Sequence, residues 1–255
     1  MTTQFTSDVR APDVASPERR SSGTSWWFVV AVIAVAATYI RAIYFTPLEA
    51  IQGPAQKIYY VHPTSAWVAF LAFGIVALAS IGYLWLKDLK LDRVAESAAE
   101  VGVVFTSVTL VTGSLWGKPI WGTWWTWDAR LTLTLFLWFI YVGYLVLRGA
   151  IEDREMRARY SAVLGILGAL LIPFIHLSVY LFRTLHPMPI VLKPGHPSLP
   201  NSMLATFAMS FVSFALLFVA LLRARYRLAA RVDALVAEEE FEPAPMPDLR
   251  AEPIR

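Results

Sequence analysis

The chain contains no cysteine. Disulfides, thiolate metal sites and covalent attachment of a prosthetic group through C-x-x-C-H are therefore excluded within it. A G-x-x-x-x-G-K-[ST] phosphate loop is also absent, so any ATP hydrolysis must come from a partner. Charge is scarce: only 16% of the 255 residues are charged, while 57% are hydrophobic. Histidine is scarcer still, with four residues in all. The net charge of +3 says little by itself, and no nucleic-acid partner is expected.

The apolar residues come in long runs. A bilayer core needs about 20 mainly apolar residues per helix, and lipid offers no partner for free backbone groups, so such runs must be helical. Six candidates stand out, at about Trp26–Phe45, Trp67–Leu86, Ala95–Leu115, Leu131–Leu147, Tyr160–Phe182 and Met203–Leu222. The expected fold class is all-α: a polytopic membrane protein of six transmembrane helices.

The basic residues alternate between the ends of these spans. Arg10, Arg19 and Arg20 precede the first. Lys87, Lys90 and Arg93 join the second to the third. Arg148, Arg154, Arg157 and Arg159 join the fourth to the fifth, and Arg223, Arg225, Arg227 and Arg231 follow the sixth. Positive charge marks the cytoplasmic side, so both termini are expected there, in a bacterial inner membrane. Residues 1–25 are polar and read as a disordered cytoplasmic tail. The first apolar run reads as an uncleaved anchor, since its loss would spoil the charge alternation. The membrane domain spans 26–222. Residues 223–255 read as a second cytoplasmic tail, largely disordered, with the acidic, Pro-rich run EEEFEPAPMPD.

The unusual residues fall on the opposite side. An external loop over residues 113–130 carries Trp116, Trp121, Trp124, Trp125 and Trp127 within a dozen positions, beside Lys118, Asp128 and Arg130. His62 starts the second span, His176 lies in the outer part of the fifth, and His186 and His196 lie in the last external loop. A large aromatic surface, several imidazoles and a few cations suit a flat, apolar, dianionic metal complex, and haem has these properties. Imidazole ligates its iron, indole rings cover its face, and Lys57, Lys118, Arg130 or Arg183 can pair with its propionates.

Each feature also has a plainer explanation. Trp and Tyr form belts at membrane interfaces, the natural reading for Trp26, Trp27, Trp67, Trp85 and Trp138. His196 is an ordinary hydrogen-bonding residue. His176 serves equally as a ligand or as a bond to a neighbouring helix. Asp128 caps the fourth span or pairs with Arg130, which makes its role structural.

The run W-G-x-P-x-W-G-T-W-W-x-W-D-x-R-L-T, Trp116 to Thr132, resembles the WWD signature of haem-handling proteins in cytochrome c biogenesis. Over about Trp26 to Leu222 the chain is similar to the CcmC family of the cytochrome c maturation pathway. The resemblance implies axial histidines at His62, in KIYYVHP, and at His186, in FRTLHP. It implies basic residues at Lys57 and Arg130, and Trp116, Trp121, Trp124, Trp125, Trp127 and Asp128 as the haem-facing segment. One departure is that His62 runs directly into Pro63, where relatives carry an intervening apolar residue. The implied ligand is non-covalent haem b. The implied partners are a periplasmic haem chaperone (CcmE-like), an ABC ATPase and membrane subunits (CcmA-, CcmB- and CcmD-like), and membrane lipid. Competing readings are a b-type cytochrome or quinone-linked oxidoreductase subunit, and a haem-free permease subunit whose Trp loop docks a partner.

Overall fold

The computed structural model describes residues 26–191 and 193–241. The expectations for residues 1–25 and 242–255 lie outside the described residues. Among the described residues there is no strand, and six helices are long and apolar enough to cross a membrane. Helix α1 (Trp26–Ile40) ends in one wide π-helical turn, Arg41–Phe45. A short 3-10 helix, Pro54–Tyr60, leads into α2 (His62–Leu86). Then follow α3 (Leu89–Trp121), α4 (Ala129–Ala150), α5 (Arg154–Ala169), α6 (Leu171–Leu181) and α7 (Asn201–Phe241).

Two sequence boundaries are corrected. Helix α3 has 33 residues and includes Gly113–Trp121. The Trp-rich segment is therefore not a single loop: Trp116 and Trp121 sit on the last turns of α3, and only Gly122–Asp128 is non-helical. Helix α7 runs for 41 residues to Phe241, so residues 223–241, expected as tail, continue the sixth span. The apolar count finds the part of a helix that lipid requires. It does not see the polar turns that the same hydrogen-bond ladder extends beyond the bilayer. At about 1.5 Å per residue, 41 residues reach roughly 60 Å, twice the hydrocarbon thickness.

The fifth span is two helices, and its sequence explains the break. Pro173 lacks an N–H and its ring collides with the carbonyl four residues back. That residue is Ala169, where α5 ends. Side-chain caps start α3, α4 and α5. Asp88 accepts from the Lys90 amide, Asp128 from the Leu131 amide and Asp153 from the Met156 amide, each placing a carboxylate at a helix N-terminus.

Helix α2 is the centre of the bundle. Small residues let it approach α3 closely: Ala69, Ala72 and Ala79 meet Ala95, Ala98 and Ala99, all buried. Gly102 is needed there, because a Cβ would come within 2.5 Å of the Phe73 ring. Close backbone approach of this kind is how helices associate in lipid, where burial gives little drive. Polar links tie α1 and α2 to α7. Thr38 donates to Ser213, Arg41 donates to Thr206, and Thr64 bonds Ser210.

One end of the bundle is held by ions. Arg148 on α4 is buried and forks onto Asp92 of α3 at 2.7 and 2.9 Å, with Glu96 at 3.0 Å. Asp233 on α7 pairs with Arg93 and Arg154, and Arg225 pairs with Glu100. Four of the arginines read as one-sided in the sequence therefore meet at this end. The histidines and the tryptophan segment lie at the other.

Candidate functional site

A cavity of about 830 Å³ opens at the histidine end, within the size range of small-molecule sites. Its walls come from α2, α3, α4, α6, α7, the 3-10 turn and the segment after α6. They are mainly apolar, with a few polar side chains.

His62 and His186 face each other across it. Their ring centroids are 6.3 Å apart and the planes are inclined by 36°. His62 is the first residue of α2. Its Nδ1 lies 3.0 Å from the Thr109 carbonyl and 3.3 Å from the Thr112 hydroxyl on α3. His186 sits on the segment after α6, with Nδ1 3.2 Å from the Pro187 carbonyl. A carbonyl can only accept, so each Nδ1 carries the proton and each Nε2 is left bare. Fixing the tautomer through Nδ1 is how proteins prepare imidazole for a metal. A metal–imidazole bond of about 2 Å plus a ring radius of roughly 1.2 Å, taken on both sides, gives about 6.4 Å between centroids. The centroid separation of 6.3 Å matches that of two imidazoles that share one metal ion. Among the described residues no carboxylate-rich cluster offers a competing metal site.

The close seat of the His62 ring depends on Gly113. A Cβ there would stand 2.9 Å from Cε1 and 3.3 Å from Nδ1. Burial, with the nearby Arg130 charge acting in the same direction, pushes the His186 imidazole down to about 3. Its ring is thus neutral across the ordinary pH range, as ligation requires.

The expected tryptophans separate into two groups. Trp116, Trp121 and Trp125 line the cavity. Trp116 lies 5.8 Å from His62 and Trp121 lies 6.4 Å from His186, centroid to centroid. The Trp116 Nε1 donates to Gln52 Oε1 at 3.1 Å. Trp124 and Trp127 point outward, 56% and 76% exposed, and do not line it. Trp124 lies under the Lys118 ammonium, and Trp127 packs edge-on against Trp125. The turn after Trp121 is made by Gly122, whose φ of +77° ends α3 and suits glycine.

The charged residues also divide. Arg130, on the first turn of α4, lines the cavity. Among the described residues its side chain has no carboxylate within ion-pair distance. The Asp128–Arg130 pair, one of the alternatives read for Asp128, is not formed among the described residues. Asp128 instead caps α4 and accepts from Thr126 at 3.3 Å, which is the structural role read for it. Lys57 lies off the cavity, its ammonium donating to the Thr46 carbonyl at 2.5 Å and the Pro47 carbonyl at 3.3 Å. His196 is exposed and takes no part in the lining.

Some lining residues were not singled out in the sequence. Trp67, read as a belt residue, lines the cavity and packs on His176, 6.1 Å away. Gln52 and Gln56 carry no motif that marks them. Only their position facing the aromatic helix end brings them to the site. The donor set suits a planar metal complex: two opposed imidazoles, an aromatic wall and one cation, with a Trp125 Nε1 that has no partner among the described residues.

Comparison with known proteins shows the family. Residues 11–238 match the CcmC family, described as heme exporter protein C. The chain is 37% identical over 212 residues to the heme exporter protein C of Bradyrhizobium diazoefficiens, covering 82% of this chain and 81% of the relative. It is 39% identical over 187 residues to that of Haemophilus influenzae, covering 72% and 75%. It is 31% identical over 218 residues to that of Rhodobacter capsulatus, covering 85% and 90%. The match spans nearly all of the helical bundle, and the chain belongs to the CcmC, or heme exporter protein C, family.

Proposed function

We propose that this chain holds haem b at the external face of the bacterial inner membrane and delivers it to a periplasmic haem chaperone. Family membership makes it a haem-handling subunit of cytochrome c maturation rather than a catalytic enzyme. The observation that carries the finer reading is the pair of opposed imidazoles, 6.3 Å apart, each with its proton held on Nδ1 by a carbonyl.

In this reading His62 and His186 present their Nε2 atoms as axial ligands from opposite sides. Two strong ligands leave no iron position for oxygen, which suits a cargo that must arrive intact. Trp116, Trp121 and Trp125 cover the macrocycle and exclude water. Arg130 pairs with a propionate, and its guanidinium is suited to a bidentate grip. Lys57 acts one step away by fastening the turn that precedes His62. Trp124 and Trp127, exposed beside Asp128, form the face on which the chaperone docks, and Asp128 holds that face in shape. The chain works with an ABC ATPase and membrane subunits of the CcmA, CcmB and CcmD kinds, and with surrounding lipid. Both termini lie in the cytoplasm, since the arginine-rich end is the inner one.

A b-type cytochrome would need a second haem station toward the inner face for transmembrane electron transfer. All four histidines belong to the cavity end of the bundle, so nothing favours that alternative.

The test is absorbance spectroscopy of the full chain purified from haem-replete cells, with His62→Ala and His186→Ala variants beside it. The expected result is bound low-spin haem in the wild type and its loss, or a change of spin state, in each variant. An unchanged low-spin spectrum in either variant would remove that histidine from the iron.

A further inference from the structure

Apart from the histidines, two lining side chains of the cavity belong to ionisable acids or bases: Arg130 and Glu49. The haem reading uses the first and leaves the second unexplained, although haem itself carries two negative charges. Arg130 lies on the first turn of α4, whereas Glu49 lies in the external turn between α1 and the 3-10 helix. Among the described residues neither forms an ion pair, with the other or with any third residue. The wall thus carries one charge of each sign on two separate elements. Its further polar side chains, such as Gln52, Gln56, Thr109 and Ser198, are amides and hydroxyls.

The external turn holds the Glu49 carboxylate in place. Its Oε2 accepts from the Ile51 and Gln52 amides at 2.9 and 2.6 Å, and the Glu49 carbonyl accepts from the Gly53 amide at 2.9 Å. Gly53 closes the turn at a φ of +56°, in the region that favours glycine. Gln52 Oε1 accepts from Trp116 Nε1, which ties the turn to the aromatic wall. Glu49 Oε1 has no partner among the described residues and is not sealed by protein. Capping this turn does not require a charge, since a neutral amide oxygen would accept from the same two N–H groups. A fixed negative charge does something more: it repels an anion through space, without contact, and most strongly beside apolar walls.

Two opposed axial imidazoles grip a ring by its metal and leave it free to turn about the metal–nitrogen axis. Haem carries both propionates on one edge, so its rotational orientations differ in where the negative charge lies. We infer that Glu49 fixes this orientation: it repels the propionates from the loop wall while Arg130 attracts them toward α4, and the uncharged edge of the ring faces the Glu49–Gly53 turn. The inference rests on the haem reading above. Discrimination comes from penalising the wrong arrangement as well as from rewarding the right one, and this wall supplies both.

The experiment is proton NMR of ferric haem bound to the full chain in detergent micelles. Each rotational orientation gives its own set of hyperfine-shifted ring-methyl resonances, because the shifts depend on where each methyl lies relative to the axial imidazole planes. Wild type is expected to give one dominant set. Glu49→Gln keeps the two hydrogen bonds of the turn and removes the charge. A second set should then appear, the ratio of orientations falling about five-fold, the effect of one unit-charge contact exposed to water. Glu49→Lys should shift the ratio further toward the second set. Haem dimethyl ester, which keeps the iron and the ring but caps both carboxylates, should show mixed orientations in wild type and the same mixture in E49Q. If E49K folds poorly, E49Q and the ester decide. A wild-type ratio unchanged in the Glu49 variants, or one dominant set for the ester as for haem, would overturn the inference and leave Glu49 a turn cap. Wild-type protein that binds neither ligand through low-spin iron would instead overturn the haem reading itself.

Discussion

Gly113→Ala separates the fold from the site, because the two effects of the added methyl have opposite signs. Gly113 lies within α3, where alanine is the better helix former by about 1 kcal/mol. The new Cβ, however, would stand 2.9 Å from His62 Cε1 and 3.3 Å from Nδ1. Comfortable carbon contacts begin near 3.5 Å, so the ring must withdraw by roughly 0.6 Å. Metal–ligand distances tolerate about 0.2 Å. The displacement is thus about three times what the ligand position allows, and it also strains the Nδ1–Thr109 bond of 3.0 Å. Loss of that hydrogen bond costs about 1 kcal/mol and roughly cancels the helix gain. The expected variant melts within a few degrees of wild type but shifts bound haem from low toward high spin. Absorbance spectra of purified G113A, read beside its thermal melt, test this. A low-spin spectrum and haem affinity equal to wild type would refute the argument that Gly113 seats a ligand. A large fall in melting temperature would refute the claimed separation of fold and site.

Arg148→Met should destabilise the bundle by about 3–5 kcal/mol, because Asp92 would remain buried without its partner. The double variant with Asp92→Leu should recover much of this loss in thermal melts. Arg130→Met should weaken haem binding by ten-fold or more. Lys57→Met should change it by less than three-fold, since its ammonium is already taken by the Thr46 and Pro47 carbonyls. Haem titrations of the two variants decide between them. The His186 imidazole is held near 3, below the ordinary value of about 6.5. Between those limits the unfolded chain takes up a proton that the folded chain refuses, so His186 makes the apoprotein less stable as pH falls from 6.5 toward 3. The contribution is absent above 6.5. An NMR titration of labelled histidine in the apoprotein should show the His186 ring without a transition near pH 6. Arg130→Met should move the His186 transition upward.

Parts of the site were legible because they carry local chemistry. The Trp116–Thr132 run and the placement of His62 and His186 outside the apolar core of each span can be read one residue at a time. So can the Asp128 cap, which needs only the amide three residues ahead. Gly113 and Gln56 were not legible. A glycine within a helix and a glutamine before one are unremarkable until the partner elements arrive. Trp67 was misread for the same reason: its neighbour, His176, is more than a hundred residues away. Lys57 was assigned to the ligand because charge was counted without asking which carbonyls the preceding turn would present to it.

The sequence by itself determined the number of spans, their order and the sidedness of the charge. Lipid compels helix formation wherever about 20 apolar residues run together, and this demand is local. The tertiary structure alone decided that Trp116 and Trp121 belong to a helix rather than a loop. It alone decided which three of five tryptophans line the cavity, and that two imidazoles stand 6.3 Å apart, centroid to centroid. Those properties depend on how closely α2 and α3 approach at Gly102 and Gly113. Packing sets that distance, and no residue specifies it alone.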